Sequence, residues 1–444
     1  MTDITDLVER LHAETPSWGQ LPARMRFKQA LVERVGVAAA FELGAPLLGV
    51  PGLDVLRCRA IRPIKDRAKE DGLPYRELWS GGTDHVLPMP RVIGPGNHRP
   101  MTVVDRAAYL TCLDDALVRG RSEVVLRGNE ALMDFEGNEY TRVRSNPEFD
   151  PSILKATATE AWTMEPSGKV AYETEALMLC GVRAVDFGHW LVEYLPKLAM
   201  AWLAGWRGGM PVLIDRNTPA SIRAALPLLL PADAPLREVP HLAPLRVGRL
   251  WCMANPAYHG FFPDDTGFTT SDIAHTAAAP SRMAVLMREL SRRADAATAA
   301  PTGKDRLFLA RHPRRRKPLV NHAEIEQLLG RLGFHCVYPE DIELLEQLRL
   351  ARHARFIVAP EGSNGLLTLF ARAGARVCLL SPPATHQLTD FTATLAELEI
   401  DALVFTGPEA EDHPDHTRHE LWSYWNAYRI DATAFDAFLD TWLA

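Results

Sequence analysis

Between about residues 175 and 405, short apolar runs alternate with stretches whose apolar positions recur every three or four residues. The runs are PVLID (211–215), RVGRLWCM (246–253), RLFLA (306–310), FHCVY (334–338), RFIVA (355–359), RVCLL (376–380) and DALVF (401–405). Their length and aliphatic content predict strands, and helical spacing fits between the last five at 322–333, 342–353, 363–373 and 387–399. This alternation predicts a parallel sheet wrapped by helices in the Rossmann manner, with ligands at the C-terminal strand ends. HWLVEYLPKLAMAWLAG (189–205) is apolar on most of its circumference and predicts a buried helix kinked at Pro196. Asn-Thr-Pro after 211–215 starts a helix reaching about Leu230, and another spans 281–295. AATAAPTGKD (296–305) then reads as a linker.

Ahead of this region the pattern is weaker. Ile4, Leu7 and Leu11, and later Leu31, Val35 and Ala38, keep helical spacing within residues 1–45, whereas 46–100 are rich in Pro and Gly and show no period. EVVLRGNEALMDFEGNEY (123–140) predicts a hairpin turning at Gly-Asn. No internal repeat is present.

Composition narrows the function classes. The 444 residues suit two domains with an N-terminal extension; 47% hydrophobic and 24% charged residues mark a globular protein. A net charge of −7 argues against a chain built to coat nucleic acid or an anionic membrane, so any anion site is local. Acidic residues in MTDITDLVERLHAE stand where a secretory signal would be basic. No apolar run approaches the roughly 18 residues of a membrane span, and the six cysteines form no CxxC. A cytoplasmic protein is expected, with no integral membrane segment and at most peripheral membrane association.

Four segments carry candidate chemistry. Arg311-His-Pro-Arg-Arg-Arg-Lys317 follows a strand and holds five cations in seven residues, suited to phosphate or to a solvated basic loop. FIVAPEGSNGLLTLF (356–370) runs from a strand through Glu361, Gly362, Ser363 and Asn364 into a helix, so its backbone N–H groups could face phosphate. A plain Gly-Ser helix cap explains it as well. A nucleophile elbow does not, because Glu361 replaces the first Gly of GxSxG. In Asp186-Phe-Gly-His189-Trp190-Leu-Val-Glu193, His189 and Glu193 share a helix face and offer a general base; a helix cap is the bland reading. His413, His416 and His419 are spaced by three, but a Pro-Asp helix start accounts for them and no metal site is expected. The chain contains no Asp-x-Asp, GxxxxGK[ST] or GxGxxG.

Three of these blocks, in order, resemble glycosyltransferase family 61, also called DUF563. His189-Trp190-x-x-Glu193-x-Leu195-Pro196 is similar to the family's HW…E.LP. Arg311 with the following arginines and Leu319-Val320-Asn321-x-x-Glu324 is similar to SR…R..LN..E. Glu340 through Phe370 is similar to the stretch ending G.HGAGLTN..F. Ala310 stands where the family usually has Ser. Glu361 stands where many eukaryotic members have His, a form that resembles the bacterial branch.

The resemblance implies an α/β protein of GT-B type, with two Rossmann-like domains facing a cleft. An N-terminal extension would occupy 1–100, the acceptor-side domain 101–300 and the donor domain 303–410, with helices in 411–444 packing back on the first domain. It implies an inverting, metal-independent transfer from a nucleotide-diphosphate sugar to a saccharide acceptor, without a cofactor, in cell-surface or capsular glycan synthesis. Arg311 and a second arginine would hold the diphosphate: Arg315 or Arg316, with Arg314 the other option. Asn321, Glu361, Gly362, Ser363 and Asn364 complete the donor site, and His189, Glu193 and Asp186 the catalytic set. The alternative is a non-catalytic nucleotide-sugar-binding or scaffold protein of a polysaccharide-assembly complex.

Overall fold

A computed structural model describes residues 21–44, 54–96, 101–135, 148, 150–256, 279–297, 304–312, 319–383, 388–413, 416 and 426–444. Among them the chain is mixed α/β, built on two large sheets. The expected helix at Ile4–Leu11, the second turn of the 123–140 hairpin, Arg314, Arg315, Arg316 and His419 lie outside the described residues.

The second sheet carries the clearest logic. Its strands are Arg306–Leu309, His335–Val337, Phe356–Pro360, Arg376–Ser381 and Asp401–Thr406, all parallel. In space the second of these lies at one edge, followed by the first, third, fourth and fifth. That is a doubly wound order, whose direction of winding reverses between Arg306–Leu309 and Phe356–Pro360. A ligand crevice belongs beyond the C-terminal ends of those two strands.

Both faces of this sheet are covered, as the uninterrupted apolar runs require. Leu307, Leu309, Ile357, Ala359, Val377 and Leu379 join a core shared with the first sheet. The alternate residues Phe308, Val358, Cys378 and Leu380 face a separate cluster containing Phe435, Leu439 and Trp442 of the helix Ala432–Trp442. Asp431 caps that helix by accepting from the Thr433 and Ala434 amides, and its apolar stripe docks on the second sheet. The sequence reading laid the final helices back across the first domain. The helix 432–442 instead packs on the Phe308–Phe405 face of the second sheet.

The first sheet begins with four parallel strands in the order Leu236–Val239, Val212–Asp215, Ala171–Met178, Pro244–Met253. Ala108–Arg119 pairs antiparallel to the last of these, and the sheet continues through Val125–Arg127, Glu130–Met133, Val55–Pro63, Glu160–Glu165 and Ile153–Ala156. Gly128, at φ 53°, turns the hairpin between Val125–Arg127 and Glu130–Met133. Residues within 1–100 are not merely appended. Val55–Pro63 lies inside the first sheet, and Val92–Ile93 adds a sixth parallel strand to the second, beside Asp401–Thr406.

Two predicted helices differ in form. The 189–205 helix is broken into Phe187–His189, a π-turn at Trp190–Tyr194 and the α-helix Leu195–Leu203. Pro196 has no N–H to offer the Val192 carbonyl, and the Leu195 amide instead reaches five residues back to Trp190. The 363–373 helix shrinks to a 3-10 run at Gly365–Phe370. No helix of the described residues is long and apolar enough to cross a membrane.

Candidate functional site

At the reversal point three loops meet. Ala310 directly follows the first strand, its N–H donating to Val337 O at 2.8 Å, and Arg311 comes next. Arg311 Nη1 donates to the Glu361 carbonyl at 3.1 Å, joining the loop after the first strand to the loop after the third. Gly362, at φ 132°, makes this possible: a Cβ built there would overlap Arg311 Nη1. Asn364 completes the joint, its Nδ2 donating to Ala310 O at 2.8 Å and to Glu340 Oε2 at 3.3 Å. Glu340 comes from the loop after the second strand, so all three strand ends are tied together.

Glu361 is buried, and its carboxylate is directed to the neighbouring strand end, where Oε2 accepts from Ser381 Oγ at 3.0 Å. Its N–H donates to Leu380 O at 2.7 Å, and Tyr428 Oη donates to the same carbonyl at 2.8 Å. Burial and the adjacent Glu361 carboxylate push the Tyr428 phenol well above its ordinary range, and Arg311 opposes that rise. Asn321 lies at the start of the helix His322–Arg331. Its Nδ2 donates to Glu324 Oε2 at 2.8 Å and Ile430 O at 2.7 Å, and its Oδ1 accepts from Ile430 N at 3.1 Å. Asn321 therefore clips the 428–430 segment to the second sheet.

The His189 segment meets this loop directly. A Cβ built on Gly188 would stand 2.8 Å from Ser363 Oγ and 3.3 Å from Ser363 Cβ, so the glycine lets the His189 segment pack directly on the Ser363 side chain. The next residue, His189, has Nδ1 2.7 Å from Glu193 Oε1; Glu193 is fully buried while His189 keeps 17% of its side chain exposed. A buried carboxylate accepting from Nδ1–H leaves the neutral imidazole lone pair on Nε2. Asp186 takes an Arg183 Nη1 hydrogen bond at 3.1 Å and is 45% exposed.

Beneath the loop 179–189 lies a polar cage that no spacing in the sequence revealed. Tyr194, on the π-turn, accepts from Arg183 N at 3.2 Å and donates to Glu123 Oε1 at 3.3 Å. Asp215, at the end of its strand, accepts from the Gly181 amide at 3.0 Å and from the Arg121 amide. Burial pushes the Glu123 carboxyl up to about 7; Lys197 opposes this and Glu193 adds to it. Burial likewise pushes Asp215 up to about 7, against the Arg121 and Gly181 hydrogen bonds. The only available hint was that Asp215 ends a predicted strand; Glu123 arrives from a distant hairpin.

The structure thus brings Arg311, Glu361, Gly362, Ser363 and Asn364 together with His189 and Glu193, and sets Asn321 behind them as a clip. Arg315 and Arg316 fall outside the described residues. Among the described residues no group of three or more His, Cys, Asp and Glu could hold a metal ion, and His416 Nε2 meets Glu409 Oε2 at 3.0 Å.

The family described as Glycosyltransferase 61 matches residues 187–378, a span that opens at the His189 segment and closes within the strand after the Gly362 loop. No curated protein matches the chain. The family match supports a glycosyltransferase.

Proposed function

We propose that the chain is an inverting glycosyltransferase of GT-B arrangement, taking a sugar from a nucleotide-diphosphate donor and passing it to a saccharide acceptor. The observation that carries this reading is the junction of Arg311 with the Gly362 turn at the reversal point of a doubly wound sheet, with the Gly188–His189 backbone packed on the adjoining Ser363. A cation at that crevice suits the diphosphate, and a histidine on the opposing segment suits the acceptor.

In the reaction, the acceptor hydroxyl oxygen attacks the anomeric carbon as the bond from that carbon to the diphosphate oxygen breaks. His189 Nε2 takes the hydroxyl proton, with Glu193 holding the ring and stabilising the imidazolium. Arg311 stabilises the charge gathering on the departing diphosphate, with a second arginine from 314–316 as its partner. Gly362 and Ser363 border the phosphates, while Glu361, Asn364 and Asn321 brace the loops that present them. Asp186 flanks the acceptor side. A growing cell-surface or capsular glycan is the acceptor that the family resemblance favours.

A thermal-shift screen of nucleotide sugars, followed by nucleotide release against a glycan panel, tests the proposal. A ligand that binds only the folded chain raises its melting temperature. Donor binding with glycan-dependent nucleotide release is expected. Donor binding without any release would replace the enzyme by a non-catalytic binding protein.

A further inference from the structure

A small hollow of about 20 Å³, open to solvent, lies on the first sheet between Trp79, Asp105, Asn255 and the start of the helix Pro280–Ala297. Asn255 comes just after strand Pro244–Met253, and Asp105 just before strand Ala108–Arg119. These strands are antiparallel neighbours, with Met253 opposite Leu110. Pro244–Met253 also runs parallel to Ala171–Met178, the strand that leads on to His189. The cavity and the His189 segment therefore share one edge of the first sheet.

Its polar groups are placed but incompletely used. Asp105 and Asn255 are each more than nine-tenths buried. Asp105 Oδ2 is bonded by Arg282 Nη2 at 2.8 Å and by His85 Nε2 at 2.6 Å. Arg282 also donates to the Arg106 and Ser80 carbonyls at 2.9 and 2.8 Å, which fixes that wall. The Oδ1 atoms of both Asp105 and Asn255 are buried without a hydrogen-bond partner among the described residues. Both residues line the hollow, and a ligand bringing donors would satisfy these acceptors. Arg282 already balances the Asp105 charge, so neutral hydroxyls fit better than an ammonium. The half-buried Trp79 ring, with the Arg282 guanidinium carbon 6.0 Å from its centroid, borders the hollow as a flat wall of the kind that the C–H face of a sugar covers. The enclosed end has room for about one or two water-sized groups, which suits a hydroxyl or hydroxymethyl arm with the ring at the mouth.

We propose that this cavity is a saccharide subsite that seats the acceptor, an inference that rests on the transferase reading for the word acceptor but not for the sugar. The probes are methyl glycosides of glucose, galactose, mannose, xylose and N-acetylglucosamine, titrated calorimetrically into the full chain and soaked into its crystals. One of them is expected to bind in the cavity, with affinity falling about tenfold or more in Asn255→Ala and in Trp79→Phe, as for the loss of one hydrogen bond or part of a stacking face. Melting temperatures confirm that both variants fold. Equal glycoside affinity in wild type and both variants would overturn the subsite, as would density for water alone at tens of millimolar glycoside. Glycoside binding in the cavity without any nucleotide-sugar binding would sustain the subsite and remove the transferase reading. Sugar transfer with an unaltered acceptor KM in Asn255→Ala would do the reverse.

Discussion

Gly362→Ala sets the two loops of the crevice against each other. The residue sits at φ 132°, and an added Cβ would overlap Arg311 Nη1 and stand 3.1 Å from Cζ. Two effects follow, and they are separable. Forcing alanine into that backbone region costs on the order of 1–3 kcal/mol, which appears as lost stability. The guanidinium must also withdraw from the Glu361 carbonyl and from any phosphate it holds. Losing one such electrostatic donor lowers turnover by roughly 10²–10³-fold, or about 2.7–4 kcal/mol. Arg311→Ala removes the same group outright. The double variant has no guanidinium left to displace, so its transfer rate should lie close to that of Arg311→Ala. Independent sites would multiply to on the order of 10⁴-fold or more. Nucleotide release at saturating acceptor, with urea unfolding run in parallel, reads both effects. A folded Gly362→Ala variant whose donor affinity and kcat stay within about twofold of wild type would refute the reasoning, and a multiplicative double variant would do the same.

His189→Ala should lower kcat by about 10²–10⁴-fold and remove the acidic limb of the kcat/KM profile, whereas normal turnover with an unchanged profile would discard it as the base. Glu123 titrates near its ordinary 4.5 when unfolded and at about 7 when folded, so between those values the folded chain binds more protons and stability falls as pH rises. Glu123→Gln keeps an acceptor for Tyr194 Oη. Relative to wild type it should gain up to roughly 3 kcal/mol at pH 8 and little at pH 4.5, and a pH-independent difference in urea unfolding would contradict this. Asn321→Ala leaves the buried Ile430 N–H and carbonyl unpaired and should cost about 2–4 kcal/mol. A large rise in donor KM at unchanged stability would show that Asn321 touches the donor instead.

The second sheet was legible because its information is local. Runs such as RFIVA and RVCLL are apolar on both faces, and the structure places them in adjacent parallel strands within a residue or so of the predicted ends. Order along the chain also singled out Arg311 and Gly362, each of which follows a strand, and the structure joins their two loops. Features set by distant partners were not legible. The π-turn at Trp190–Tyr194 depends on how the missing Pro196 N–H is accommodated, where sequence alone predicted a kink. The shortening of the 363–373 helix leaves Gly362, Ser363 and Asn364 ahead of a brief 3-10 run, not at the start of a long helix. Val92–Ile93 is too short for a periodicity signal and is a strand only because Asp401–Thr406 offers it an edge. Glu123 lies 71 residues from Tyr194 and signals nothing until the hairpin folds beneath the His189 loop.

Calorimetric titration of the donor's nucleoside diphosphate into wild type and Arg311→Ala bears most directly on the proposal that Arg311 and the Gly362 loop hold the diphosphate. A charged hydrogen-bond partner is worth about 1.5–3 kcal/mol, so the dissociation constant should rise by roughly 10- to 100-fold in the variant. An unchanged constant in a folded Arg311→Ala protein would mean that the diphosphate binds elsewhere.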